Sequence, residues 1–170
     1  MFDLLFQASA RTLGDVARSK VGGEMAALGV LHTWSRQLVF HPHVHYIVPG
    51  GFLSEDGLKW IRLKDGGYLL PHALLSRRMR SVFRQGMMER PELLAEVPGA
   101  VWRKEWVVDV QAVGTGEKAL GYLAAYVQRT ALSAQRIVRE ENGQTTFKYR
   151  ASDTGQWKLL TLETGEFVRR

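Results

Sequence analysis

The chain has 170 residues, of which 45% are hydrophobic, enough for one globular domain with a real core. No apolar run approaches the roughly 20 residues of a membrane span, and no signal-peptide pattern opens the sequence, so we predict a soluble cytoplasmic protein. The complete absence of cysteine excludes disulfides and thiolate metal sites. A net charge of +6, from 23 Lys and Arg against 17 Asp and Glu, favours a polyanionic partner.

The first third of the chain predicts helices followed by strands. Apolar residues at helical spacing predict a helix from residue 2 to about 18, and a short helical piece from Glu24 to Leu28. The β-branched and aromatic residues from Gly29 to Trp34 predict a strand, with an antiparallel neighbour running from His41 to Val48. A turn then precedes a further short strand from Leu58 to Leu63.

The rest of the chain alternates between helices and short strands. Pro71 precedes an amphipathic helix that runs through Phe83 and has a basic back. The segment from Glu105 to Val110 predicts a strand in the sheet core, and a second strong helix spans Glu117 to Gln128. The remainder predicts short strands and turns. Both ends of the chain interrupt patterns typical of structured segments, so we expect a fragment truncated at both ends.

Three of the five histidines fall between His41 and His45. Alternate side chains of a strand share a face, so His43 and His45 should point the same way. Two neutral imidazoles form half of a metal site suited to zinc, copper, iron, nickel or manganese, and such a site needs at least one further ligand. The alternative is a set of polar residues on a solvated strand face.

Tyr122 and Tyr126 lie four residues apart in the second strong helix, which places both hydroxyls on one helix face. This spacing is typical of paired nucleophiles. Tyrosine is a poor nucleophile at its ordinary pKa, but a divalent cation bound to a phosphodiester polarises the phosphorus and stabilises the leaving oxygen. The alternative is a pair of core tyrosines with satisfied hydroxyls.

The basic residues are concentrated in two parts of the sequence. Such clusters favour binding to phosphate backbones through counterion release. The alternative is that the basic residues form a solvated helix face with no such partner. The candidate DNA-binding residues are Arg77, Arg78, Arg80 and Arg84 in the first part and Arg129 in the second.

Two motifs of this sequence resemble those of a known superfamily. His43-Val44-His45 has the histidine, hydrophobic, histidine form of the HUH endonucleases, and Tyr122-Leu123-Ala124-Ala125-Tyr126 resembles their two-tyrosine motif. With Leu31-His32-Thr33-Trp34 and Val48-Pro49-Gly50-Gly51, the ordered set is similar to the rolling-circle transposases of the insertion sequence ninety-one group. The resemblance covers most of the chain, roughly from Leu4 to Arg170.

The resemblance implies an α+β fold and a specific chemistry. The fold would be an antiparallel sheet of about five strands, ferredoxin-like or RRM-like, with packed helices in a single catalytic domain. His43 and His45 would hold Mg²⁺ or Mn²⁺ against the scissile phosphate of single-stranded DNA at transposon ends and target. One of the tyrosines, Tyr122 or Tyr126, would attack to leave a 5′-phosphotyrosine and a free 3′-OH, and the other would serve a later strand transfer.

The third metal ligand stays open at this stage. His32 on the neighbouring strand ranks first and His41 second, because Pro42 marks a strand start or bulge that would turn His41 away. Gln128 is a further candidate. Family members also carry a cysteine-rich zinc-binding region, which this chain lacks. A rolling-circle replication initiator and a non-catalytic DNA-binding fragment are the alternative functions.

Overall fold

The structure is a computed structural model that describes residues 1–35, 37–63, 70–114, 116–127, 132–151 and 153–170, with the side chains of 122, 123 and 125–127 outside the description. Within these residues the protein is α+β. The α-helices are α1 (Phe2–Val21), α2 (His72–Met88), α3 (Pro91–Glu96), α4 (Gly116–Val127) and α5 (Thr164–Arg169). The β-strands are β1 (Gly23–Glu24), β2 (Leu28–Trp34), β3 (Phe40–Ile47), β4 (Gly51–Ser54), β5 (Trp60–Arg62), β6 (Ile137–Glu141), β7 (Gln144–Arg150) and β8 (Trp157–Glu163). Short 3₁₀ turns cover Gly99–Arg103 and Ala134–Arg136.

The chain divides into two compact units. Unit 1 comprises Met1–Leu31 and Val44–Gly121, and unit 2 comprises His32–His43 and Tyr122–Arg170. The hairpin formed by β2 and β3 therefore contributes residues to both units. Among the helices of the described residues, none is long and apolar enough to cross a membrane.

The core of unit 1 lies between α1 and α2. Helix α1 buries Leu4, Ala8 and Val16, whose spacing of four and eight residues places them along one face. Helix α2 presents Leu75, Met79 and Val82 in the same way. Packing of these two apolar stripes is the main hydrophobic contribution to the stability of the unit.

Strands β1, β4 and β5 form a small antiparallel sheet in the order β1-β4-β5. At Gly23 the two backbones approach closely, since an added Cβ would lie 2.3 Å from the carbonyl oxygen of Leu53. Only glycine fits at this position without a shift of the partner strand.

Unit 2 contains an antiparallel meander in the order β6-β7-β8. Its turn at Asn142 and Gly143 has φ of 51° and 71°, the left-handed geometry of a tight hairpin. Phe147 on β7 is fully buried, and its ring lies 5.6 Å from that of Phe167 on α5. This ring contact packs α5 against β7.

The predicted α+β class is confirmed, while the strand count and grouping differ from the prediction. The strands of the described residues form three small sheets of three, two and three strands. The predicted helices after residue 2, after Pro71 and around Tyr122 are all present, as are the strands of the histidine hairpin.

Two predicted elements are wrong. The predicted helix from Glu24 to Leu28 does not form, because Gly23 and Glu24 instead pair with β4 as a strand. The predicted core strand from Glu105 to Val110 joins no sheet of the described residues, and Val107 is 99% exposed. Val108 and Val110 pack on the helical core, so their apolar character reflects contact with α1 and α2 rather than sheet pairing.

Candidate metal centre

The hairpin of β2 and β3 carries the histidines, and a short loop closes it. The backbone N–H of Ser35 donates to the carbonyl of Val39 at 2.9 Å, and the Ser35 hydroxyl accepts the N–H groups of Gln37 and Val39 at 3.2 Å. Leu38 takes a left-handed φ of 57° and is buried. The serine thus stabilises the turn that brings the two strands side by side.

His32 on β2 comes together with His43 and His45 on β3. One ring nitrogen from each lies within 4.8 Å of the others, and all three side chains are half-buried. The His32 and His43 rings are perpendicular, with centroids 5.4 Å apart. This arrangement offers three imidazole donors to a single cation.

The tautomer of His43 suits metal binding. Its Nδ1 lies 2.6 Å from the backbone carbonyl of His41, so Nδ1–H donates to this oxygen. Nε2 is then the unprotonated nitrogen that can coordinate a metal. Metal-ligating histidines commonly use their other nitrogen in this way, which fixes both tautomer and ring orientation.

Burial favours the neutral form of the His32 imidazole. Loss of solvation lowers the pKa of His32 from its ordinary value, and the nearby His43 lowers it further through charge repulsion. The neutral form is the one that binds metals.

His41 lies outside the cluster of ligand atoms. Its side chain is exposed, and its ring centroid is 5.0 Å from that of His43. The backbone carbonyl of His41 accepts the Nδ1–H of His43, and the ring nitrogens of His41 are not among the three converging donor atoms. Of the two ranked candidates for the third ligand, the structure thus brings His32 to His43 and His45.

The opposite face of β3 is anchored to α1 through Tyr46. Its hydroxyl lies 2.8 Å from the hydroxyl of Ser9, and burial raises its pKa. Gly29 makes room for the ring, because a Cβ there would lie 2.6 Å from it. Alternation along the strand then turns the neighbouring His45 the other way. Tyr46 was not predicted as a site residue, and its signal in the sequence is its position beside the histidine pair.

The two candidate tyrosines lie on α4. The structure describes the backbone of Tyr122 and Tyr126 as helical, and their side chains are outside the described residues. Gln128 and Arg129 also lie outside them. The roles assigned to these four residues stay predictions.

The four clustered arginines of α2 divide into two groups. Arg77, Arg80 and Arg84 line one open groove. Arg78 instead contacts Asp15 on α1, donating from Nε at 2.9 Å and also from Nη2. The hydrogen bond from Arg78 is the largest of the effects that hold the pKa of Asp15 below its ordinary value. Arg78 therefore has a structural contact, whereas the other three face a shared surface.

Comparison with known proteins identifies a family. The family described as "Putative transposase" matches residues 26–170. The "Putative transposase y4qJ" of Sinorhizobium fredii is 33% identical over 191 residues, covering 100% of this chain and 48% of that protein. The "Transposase for insertion sequence element IS801" of Pseudomonas savastanoi pv. phaseolicola is 27% identical over 188 residues, covering 100% of this chain and 44% of that protein.

The chain thus spans about half the length of these curated relatives. No solved structure matches it.

Proposed function

Since the chain belongs to the transposase family that its residues 26–170 match, we propose that it nicks and rejoins single-stranded DNA in rolling-circle transposition. In this proposal it is an HUH-type domain of the insertion sequence ninety-one group. His32, His43 and His45 hold a divalent cation, and Tyr122 and Tyr126 are the nucleophiles.

The observation that carries the proposal is the cluster of three histidines on one hairpin. Its donor set is chemically consistent with a divalent cation, since all three donors are imidazoles and the chain has no thiolate to favour a structural zinc site. Of Mg²⁺ and Mn²⁺, Mn²⁺ is the better match, because Mg²⁺ prefers oxygen ligands and binds nitrogen weakly. When bound, the cation would supply positive charge at the scissile phosphate.

The tyrosines perform the covalent step. The phenolic oxygen of one tyrosine attacks the phosphorus, the bond to the 3′ oxygen breaks, and the proton lost by the phenol ends on the released 3′-OH. The product is a 5′-phosphotyrosine, which conserves the energy of the phosphodiester bond. A second tyrosine four residues along α4 provides a second acceptor for strand transfer.

The nicking reaction is tested with a single-stranded oligonucleotide that spans an end of the element encoding the chain. With Mn²⁺ present, a 3′-labelled strand should yield a labelled adduct that survives denaturing electrophoresis, and a 5′-labelled strand should yield a shorter free product. Both products should disappear in the double variant Tyr122→Phe, Tyr126→Phe. Tyr149→Phe is the control. It removes a tyrosine hydroxyl on β7, outside the proposed pair of nucleophiles, and should keep both products.

An adduct that persists in the double variant would show that another residue is the nucleophile. DNA binding without any metal-dependent cleavage would instead favour the non-catalytic DNA-binding module.

A further inference from the structure

A basic groove runs along α2, a helix that follows the histidine hairpin in the sequence. It has a volume of about 490 Å³, and its lining includes Arg77, Arg80, Arg84 and Trp102. We propose that this surface, the arginine groove, binds single-stranded DNA, with the arginines on consecutive phosphates and Trp102 stacked on a base. The inference rests on the proposed function for its choice of a DNA strand as the ligand.

The spacing of the three arginines fits a linear polyanion. They lie at positions i, i+3 and i+7 of α2, so they follow one stripe of the helix. At 1.5 Å per residue this stripe places the first and last about 10 Å apart along the axis. Arg78 is turned to another side of the helix, where it contacts Asp15. The arginine groove is thus a row of three cations rather than a cluster of four.

The lining of the groove has one sign of charge. None of the described residues that line it is acidic, and Ser81 and Gln85 add uncharged hydrogen-bonding groups. Arg80 donates from Nη1 to the carbonyl of Lys104 at 2.7 Å, which holds the far wall of the groove against α2. A guanidinium has five N–H donors, so this bond is compatible with a phosphate contact from the same side chain.

Trp102 forms an aromatic wall that is already in place. Its ring stacks on Trp106, with centroids 5.9 Å apart and planes 25° apart, and the guanidinium carbon of Arg84 lies 5.8 Å from its centroid. Trp106 is itself fixed, since its backbone N–H donates to the Ser76 hydroxyl at 3.1 Å. Phe83 of α2 packs beside Trp106 at 5.3 Å. A rigid indole next to a row of cations is the combination that single-strand binding proteins use.

The aromatic wall favours a single strand over a duplex. In a duplex both faces of each base are covered by its neighbours, whereas an unpaired base can leave the stack and contact an indole. The arginines alone would bind either form through counterion release. Discrimination between the two forms should therefore depend on Trp102.

The groove is tested by equilibrium binding in chelator, so that no cleavage occurs and the result is independent of the nicking reaction. The probe is a fluorescent oligo-thymidine, measured by anisotropy over a range of salt concentrations. The double variant Arg77→Gln, Arg84→Gln should weaken binding and make the slope of log K against log salt shallower by about 1.4, because each single-strand phosphate contact contributes about 0.7. Arg62→Gln removes an exposed arginine outside the groove and should leave the slope unchanged, with any difference well under the value of about 0.7 for one phosphate contact.

The stacking contact is tested with Trp102→Leu, which should weaken binding about tenfold without changing the salt slope. Trp102→Phe keeps a ring and should retain most of the affinity, which separates loss of stacking from loss of folding. Trp60→Leu removes an exposed tryptophan outside the groove, on β5, and should have little effect. On an abasic strand of equal charge, Trp102→Leu and the wild type should bind alike.

An equal loss in Trp60→Leu and Trp102→Leu, or a Trp102→Leu loss that persists on the abasic strand, would overturn the inference. An unchanged salt slope in the double arginine variant would also overturn it. Nicking by a protein that fails these tests would overturn the groove inference and leave the proposed function intact. Groove binding without nicking would support the groove inference and contradict the proposed function.

Discussion

One hydrogen bond decides how His43 can act. Because Nδ1–H donates to the carbonyl of His41 at 2.6 Å, the lone pair is on Nε2, and the ring is held in one orientation on the strand. The backbone of His41 therefore orients the His43 ring, while the His41 imidazole contributes no nitrogen to the group of three converging donors. This distinction separates two histidines that are two residues apart in the sequence.

Substitution of the clustered histidines should weaken metal binding. We expect His32→Ala, His43→Ala and His45→Ala each to lower the affinity for Mn²⁺ at least about tenfold, because each removes one of three nitrogens that converge within 4.8 Å. Isothermal titration calorimetry at pH 7.5 measures the affinity directly.

His41→Ala is the matched control, because it retains the backbone carbonyl that holds His43. It should keep the affinity for Mn²⁺ within about threefold of the wild type, a margin well below the loss expected for a ligand. A loss as large as that of His32→Ala would instead make His41 a ligand and contradict the geometry of the cluster.

At the scale of elements, an ion-pair network joins the first two long helices. Asp15 on α1 contacts Arg78 on α2 and also Arg18 within its own helix at 3.0 Å. Asp15→Asn should lower the free energy of unfolding by about 1 kcal/mol at pH 7, a modest value because Arg78 is 37% exposed and solvent screens the pair. Urea denaturation measures this difference.

The effect of Asp15 should depend on pH in a defined direction. The folded pKa is lowered below the ordinary value of 3.8, so the unfolded state binds more protons at acidic pH. The stabilisation is therefore full above that value and is lost as the pH falls through the folded pKa. Asp109→Asn is the control, since Asp109 is exposed and contacts Gln111. It should change the free energy of unfolding by less than about 0.5 kcal/mol over the same pH range.

Close backbone packing in the small sheet of unit 1 gives another prediction. Gly23→Ala should destabilise the fold by about 1–3 kcal/mol, because the new Cβ would meet the backbone oxygen of Leu53, which cannot rotate away. Gly50→Ala has nothing within 4 Å of its added Cβ and should be close to neutral. Thermal unfolding of the two variants compares the same substitution in tight and open surroundings. Equal effects in both would contradict the close approach.

The elements that the sequence predicted well are those with local causes. The period of α1 and α2 and the alternation of β3 depend on residues near one another in the chain. The segment from Glu105 to Val110 has the pattern of a core strand but forms none, because apolar, β-branched residues look alike whether they pack on a sheet or on helices. Its surroundings depend on Ser76 and Phe83 of α2, an earlier element of the chain, which no local pattern reports.

At the scale of the whole molecule, the candidate site was predictable in part. The pair His43 and His45 follows from strand alternation alone, whereas the choice of His32 over His41 depends on how β2 pairs with β3. The arginine cluster was visible in the sequence, but its division between Asp15 and the arginine groove depends on the packing of α2 on α1. Long-range packing therefore decides which of several similar side chains reach the site.

Metal binding should also stabilise the folded molecule, because the three histidines converge only when the hairpin is formed. At a free Mn²⁺ concentration about 100 times the dissociation constant, the gain is about 2.7 kcal/mol, which for a chain of this size corresponds to a rise in Tm of about 5–10 °C. Differential scanning calorimetry should show the rise in the wild type and in His41→Ala, its reversal by chelator, and at most about half of the rise in His43→Ala, whose affinity is at least about tenfold lower. A rise of the same size in His43→Ala would place the bound cation elsewhere on the protein.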